Sequence, residues 1–171
     1  MLKTIGIVLV VLGASGAGFS MALAVQRNIA VVQQLIGVLD QMKSEMQYRK
    51  TPLPELMRVL SVSTRGQVSA LFCRVADDMF LRQEASVYAI IKKALMAAPP
   101  SAFSPSVRHV LLNLGSGLGK YDVEGQLRAI DLALSRLRDI LEQSTVEQKT
   151  RVRSYCTLGI CAGLAIAIMV L

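Results

Sequence analysis

The chain of 171 residues has little of what catalytic and metal sites are made of: no tryptophan, one histidine and three cysteines. His109 alone cannot supply a histidine-based triad or metal cluster, and its place beside Arg108 predicts a surface position. The cysteines form no C-x-x-C pair, so the sequence predicts neither a disulfide framework nor a zinc site. The four tyrosines are scattered, so nucleic-acid binding would rest on charge alone and is not predicted. The sequence therefore predicts no cofactor, no metal and no catalytic residue.

Charge is absent from a segment near each end of the chain. Residues 4–25 and residues 154–171 contain no Asp, Glu, Lys or Arg, and about 20 helical residues cross a bilayer core of about 30 Å. The sequence predicts a transmembrane helix in each, and a helical domain over residues 27–153 between them. That domain has 18 basic and 12 acidic residues, a formal net charge of +6. Basic residues at its two ends, Arg27 and Arg153, place the domain in the cytoplasm by the positive-inside rule.

The first apolar segment has a second interpretation. Lys3, an apolar run and the triplet Ala22-Leu23-Ala24 also describe a cleavable signal peptide. Cleavage would leave a protein anchored at its carboxyl end, with its domain outside the cytoplasm. Small residues at helical spacing, including Gly13 and Gly16, favour an uncleaved membrane helix that packs on another helix.

A glycine ridge also runs along the second apolar segment. Gly159 and Gly163 stand four residues apart, the spacing that lets two membrane helices approach closely. This pattern predicts either self-association or packing on the first segment, with plain exposure to lipid as the alternative.

Between the apolar ends, apolar residues recur at steps of three and four, which is typical of amphipathic helices. We expect an all-α bundle of about five or six helices with a terminal transmembrane helix at each end. Thr51 is expected to cap a short second helix, and Ser104 to cap a fifth one that ends at Gly115, Gly117 and Gly119. Asp122 is expected to cap a last helix that runs into the second apolar segment without a break.

The segment Gly115-Ser-Gly117-Leu-Gly119-Lys120 has the look of a phosphate loop but departs from the Walker A pattern. Leu114 stands where the first glycine is required, Tyr121 stands where Ser or Thr should follow the lysine, and the segment follows a helix instead of a strand. A glycine-rich turn between two helices is the better interpretation.

A combination of these pieces resembles the stage III sporulation protein AB family of endospore-forming bacteria. The resemblance extends over the chain, from the short first anchor to the C-terminal span, and includes these motifs: Thr51-Pro-Leu-Pro-Glu55, Phe103-Ser-Pro105, Leu118-Gly-Lys-Tyr-Asp122 and Gly125-Gln126. That family is similar to the helical cytoplasmic domains of the platform protein of type II secretion and type IV pilus machines. This chain lacks the acidic residue those domains carry beside the first glycine, and it has one such domain where they have two.

The resemblance implies a non-enzymatic part of a secretion-like channel between mother cell and forespore. It implies a place in the mother-cell membrane that faces the forespore. The implied partners are other AA–AH-type channel proteins, above all the AA-type motor ATPase, and a second copy of the chain is a further candidate. The residues expected at the ATPase interface are Lys120, Asp122 and Gln126. The alternative is an intermembrane ring or receptor component whose signal peptide is cleaved.

Overall fold

The structure is a computed structural model that describes residues 26–49, 51–81, 86–120 and 122–170, with side chains described as far as Val146 in the last range. These residues form helices and no strand, which confirms the all-α class. The helices are α1 (residues 26–48), α2 (Leu53–Ser63), α3 (Gly66–Phe80), α4 (Val87–Ala97), α5 (Pro105–Gly117) and α6 (Val123–Val170).

The starts of α5 and α6 follow the predicted caps. The side chain of Ser104 accepts a hydrogen bond from the Val107 N–H at 3.4 Å, and Pro105 occupies the first turn of α5. At α6, Asp122 Oδ1 accepts from the Gly125 N–H at 3.0 Å. Each bond satisfies one of the N–H groups that the first turn of a helix leaves without a backbone partner.

The prediction for the start of α2 was wrong. Thr51 does not cap this helix: Pro52 occupies the N-cap position, no side chain caps this end, and the helix begins at Leu53. The Thr51 hydroxyl instead donates to Glu45 at the end of α1, at 3.4 Å. The side chain is therefore used between helices, a contact that the local pattern Thr-Pro-Leu-Pro does not reveal.

One hydrophobic core lies between the inward faces of the six helices. The apolar stripe of α1 is wide, because Leu35, Val38 and Met42 are buried together with Val32 and Leu39. A core-facing stripe more than 100° wide is usual for a helix covered on one side. The largest fully buried side chains come from α1, α2 and α6 and from the segments on either side of α5: Leu35, Leu39, Met42, Leu56, Met57, Leu60, Phe103, Leu118, Ile130 and Leu137.

Two ion pairs at the edge of the core connect α1 to α6. Lys43 Nζ lies 2.6 Å from Asp131 Oδ1, and an Arg138 nitrogen lies 3.7 Å from Asp40 Oδ1. The lower-numbered partner on α1 pairs with the higher-numbered one on α6, so the two helices run antiparallel. Because all four side chains are at least one third exposed, each pair contributes at most about 1 kcal/mol, and the buried apolar faces hold the helices together.

Contacts along the chain define two units. One comprises Ala30–Leu141 and contains the core; the other comprises Met1–Ile29 and Glu142–Leu171. Over the residues that the structure describes, no helix combines the length and the apolar character needed to cross a bilayer. The predicted span at 4–25 lies outside these residues, and that at 154–171 is described only as helical backbone as far as Val170.

Helix α6 continues without interruption from Val123 to Val170. This confirms the prediction that the helix opened by Asp122 passes beyond the core. The two glycine ridges, Gly13 with Gly16 and Gly159 with Gly163, lie where no side-chain environment is described, and their role in membrane packing stays a prediction.

Candidate functional site around the glycine-rich turn

The turn between α5 and α6 contains three glycines with two different roles: Gly115 and Gly117 allow close helix packing, and Gly119 allows a positive φ. The helix α5 ends within the predicted glycine segment: Gly115 lies inside its last turn and Gly117 is its last residue, and both are buried. Leu118 follows, 2 % exposed, and its N–H donates to the Leu114 carbonyl at 3.0 Å. Gly119 then takes a positive φ of 73°, a conformation that other residues adopt only at a cost, and reverses the chain toward α6.

The two helical glycines allow neighbouring helices to approach closely. A Cβ at Gly115 would lie 3.0 Å from Ile91 Cδ1 of α4, and a Cβ at Gly117 would lie 2.5 Å from the Ala129 Cβ of α6. No real Cβ contact is as short as the second distance. These glycines therefore allow α5 to pack closely on α4 and α6. Helix packing accounts for the glycine-rich segment without a phosphate-binding role.

The three residues predicted for a partner interface lie together at the amino end of α6. Lys120 and Asp122 are exposed, and Gln126 is half-buried one turn further along the helix. The backbone N–H of Gln126 donates to the Asp122 carbonyl at 3.0 Å. Residues four apart share a helix face, so Asp122 and Gln126 present one surface, with Lys120 preceding it in the turn. We call Lys120, Asp122 and Gln126 the turn surface.

Arg108 has a structural role that the sequence did not reveal. Its guanidinium donates to three carbonyl oxygens: that of Leu95 at 2.8 Å, that of Pro99 at 3.1 Å and that of Phe103 at 3.2 Å. The side chain thereby fixes the end of α4, the connection that follows and the start of α5. These partners lie 5 to 13 residues away, beyond the reach of any helical periodicity. The neighbouring His109 is exposed, as predicted.

The adjacent carboxylates Asp77 and Asp78 do not form a common site. Asp77 Oδ1 lies 2.7 Å from an Arg58 nitrogen of α2, and Asp78 Oδ2 lies 3.4 Å from Lys93 Nζ of α4. Each carboxylate is half-exposed or less and pairs with its own cation, so this face of α3 is ion-paired to α2 and α4. In the described parts of the chain, no group of three or more His, Cys, Asp or Glu side chains has the arrangement of a metal site.

A groove between α5 and α6 is the second feature that the sequence did not reveal. Its volume is about 150 Å³, and seven residues line it: Val110, Asn113, Leu114, Ala129, Leu132, Ala133 and Arg136. The sequence signal that could have found it is the line Arg128, Leu132 and Arg136 on α6, where an apolar residue stands between two cations at helical spacing.

Comparison with known proteins gives a consistent result at three levels. The family model for stage III sporulation protein AB matches residues 3–171. The stage III sporulation protein AB of Bacillus subtilis (strain 168) is 25 % identical over 171 residues, which covers 100 % of each chain. A solved structure of a stage III sporulation protein AB matches with a TM-score of 0.63 and 23 % identity over 72 % of this chain and 98 % of that one. At that identity the structural likeness establishes the fold.

Proposed function

The chain belongs to the stage III sporulation protein AB family, and on that premise we propose that it is a non-enzymatic platform in a secretion-like channel between mother cell and forespore. In this role it couples the AA-type motor ATPase to the membrane part of the complex. The observation that carries the proposal is the continuity of α6, which contributes Ile130, Leu134 and Leu137 to the core and continues as one helix to Val170. Force or displacement at the core can be transmitted along such a helix.

The proposal includes membrane anchoring at both ends of the chain. Residues 4–25 and 154–171 carry no charge, and each is long enough for a bilayer span. Arg27 and Arg153 at the inner ends of these segments favour a cytoplasmic domain in the mother-cell membrane that faces the forespore. The glycine ridges of the two segments would pack the spans on each other or on a second copy of the chain.

The turn surface is the proposed contact with the AA-type ATPase. It is supported by the close packing at Gly117, which holds the turn against α6, and by the exposure of a cation and an anion two residues apart, Lys120 and Asp122. Exposed charges of opposite sign can match opposite charges on a partner, which increases the specificity and the rate of association. The other AA–AH-type channel proteins are proposed partners of the same assembly.

Recruitment of the ATPase by variants of the turn surface tests this proposal. Because Asp122 caps α6, the informative double variant is Lys120→Ala with Asp122→Asn, since asparagine also caps helices well. The matched control is Lys92→Ala with Glu55→Gln, which removes one exposed cation and one exposed acid elsewhere on the domain. We expect the turn variant to lower the affinity for the purified ATPase by about tenfold, corresponding to about 1.4 kcal/mol, and the control to bind like the wild type.

The outcomes separate the parts of the proposal. Equal binding by wild type, turn variant and control would show that the turn surface is assigned wrongly. Absence of ATPase binding to the wild-type chain would contradict the coupling role itself. Circular dichroism of both variants, unchanged from the wild type, excludes loss of folding as the cause.

A further inference from the structure

The groove between α5 and α6 has an apolar floor within an otherwise charged surface. Val110 and Leu114 of α5 and Ala133 of α6 are buried beneath it, and the small side chains of Ala129 and Ala133 leave room above them. A volume of about 150 Å³ is the size of an engineered apolar cavity that accepts benzene. The groove therefore has room for one large apolar side chain of a partner.

The rim of the groove combines an exposed leucine with two cations. Leu132 is 60 % exposed, although its neighbours Ile130, Ala133 and Leu134 on α6 are buried in the core. Arg128 and Arg136 stand four residues before and after it, both exposed. They have no ion-pair partner among the described residues, in contrast to Arg138 on the same helix, which pairs with Asp40.

Among the described residues, the nearby acidic side chains form no ion pair with the two arginines of this rim. Asp131 lies on the side of α6 that faces α1, where it pairs with Lys43 at 2.6 Å. Glu124 and Asp139 are exposed near the two ends of the rim and form no ion pair with Arg128 or Arg136 in the described structure. The rim thus presents two arginines that have no ion-pair partner among the described residues, with an apolar residue between them.

We propose that the α5–α6 groove binds an acidic amphipathic helix of a partner protein. The distance along α6 from Arg128 to Arg136 is about 12 Å, or about two helical turns. A partner helix with a large apolar residue at its centre and a carboxylate one turn to each side matches this spacing. Its apolar residue enters the groove beside Leu132, and its carboxylates pair with the two arginines, which is helix-in-groove recognition with charge complementarity.

The geometry favours a protein helix over a lipid surface. Recognition of anionic lipid head groups generally uses clusters of about four to eight basic residues, and this rim has two, on either side of a concave apolar site. The alanines of the floor also permit a backbone to approach closely, which a flat membrane surface would not use. The inference does not depend on the proposed ATPase contact, because it concerns residues outside the turn surface.

A synthetic helix of the proposed chemistry tests the groove. The probe is a fluorescein-labelled, lactam-stapled peptide of about 14 residues, about four turns, with leucine at its centre, glutamate four residues to each side and alanine or glutamine elsewhere. Its affinity for the purified full-length chain in neutral detergent is measured by fluorescence polarisation. A second peptide carries lysine in place of both glutamates.

Three variants of the chain make the test specific. We expect Arg128→Glu with Arg136→Glu to weaken binding of the glutamate peptide by about tenfold and to strengthen binding of the lysine peptide, since each reversal changes an attraction into a repulsion. Leu132→Ser should weaken both peptides. The matched control, Arg65→Glu with Arg74→Glu, reverses two exposed arginines outside the groove and should bind like the wild type.

The proposal is overturned if the wild type binds the glutamate peptide no better than the lysine peptide, or if the control variant loses as much affinity as the groove variant. Co-sedimentation of the full-length chain with vesicles of phosphatidylcholine and phosphatidylglycerol is the second arm. Vesicle binding that depends on Arg128 and Arg136, without binding of the glutamate peptide, would assign the rim to a lipid surface and overturn the assignment to a protein helix.

Discussion

Replacement of Gly117 by alanine tests the packing on which the turn surface depends. The added Cβ would lie 2.5 Å from the Ala129 Cβ, so α5 and α6 must separate or the turn must shift. Overpacking of this kind costs about 1–3 kcal/mol. Because Gly117 is the last residue of α5, alanine recovers little of the helix propensity that it would gain in a helix interior. We expect a net loss of stability of about 1–3 kcal/mol.

Gly37 provides the matched control. It lies within α1, and a Cβ there would meet nothing within 4 Å. Gly37→Ala should therefore stabilise the chain by about 0.5–1 kcal/mol, the usual gain from alanine inside a helix. The same chemical change thus has opposite signs at two glycines, and the sign is decided by the space above the backbone.

Urea unfolding of a chain spanning residues 27–153, which includes the whole unit Ala30–Leu141, measures both effects by circular dichroism. With a slope of about 2 kcal/mol per molar urea, the midpoint should fall by roughly 0.5–1.5 M for Gly117→Ala and rise by a few tenths of a molar for Gly37→Ala. A midpoint for Gly117→Ala at or above that of the wild type would refute the close approach of α5 and α6.

Other predictions follow from single side chains and use the same assay. Arg108→Met removes three hydrogen bonds to carbonyl oxygens and should cost about 1–3 kcal/mol, whereas Arg74→Met, on the exposed face of α3, should change stability by less than about 0.5 kcal/mol; equal effects would show that the carbonyl contacts are unimportant. Asp122→Ala should cost about 1 kcal/mol and Asp122→Asn far less, and a large loss in the asparagine variant would mean that charge, not capping, fixes this end of α6. Ser104→Ala should lose about 0.5–1 kcal/mol, and no change would show that the 3.4 Å bond to Val107 contributes nothing.

Much of the fold could be predicted from the sequence because helix periodicity and capping are local. The apolar faces of α3, α4 and α5 are buried at steps of three and four residues, as predicted, except that Phe80 at the end of α3 is exposed. Ser104 and Asp122 cap the helices they were expected to cap. The capping prediction for Thr51 was wrong because its hydroxyl donates a hydrogen bond to Glu45, six residues earlier in the chain, and not to the start of α2. A local pattern states which bonds a side chain can form, but it does not state which partner the fold brings closer.

The candidate sites were less predictable because they depend on contacts between helices. The glycine pattern showed where α5 ends, but only the distance to Ala129 explains why its last residue, Gly117, has no room for a side chain. The sequence shows Arg108 only as the neighbour of His109, because its hydrogen bonds to three carbonyl oxygens depend on how α4 and α5 pack. The α5–α6 groove requires knowing that Val110 and Ala133 face each other, which neither helix shows alone.

The cytoplasmic placement of the helical domain is the central claim that a single experiment tests most directly, since an ATPase of the mother cell can reach only a domain on that side. The native cysteines, Cys73, Cys156 and Cys161, are replaced by serine or alanine, and single cysteines are introduced as Ser63→Cys or Ser101→Cys, both at exposed positions. A thiol reagent that does not cross membranes is then applied to protoplasts of sporulating cells, and the mature amino terminus is determined by mass spectrometry.

A cytoplasmic domain predicts that both introduced cysteines are protected from the thiol reagent until the cells are lysed, and that the mature chain begins at Met1 or Leu2. Labelling of intact protoplasts, or a mature chain that begins at Val25, would contradict the cytoplasmic platform and indicate an intermembrane ring or receptor component.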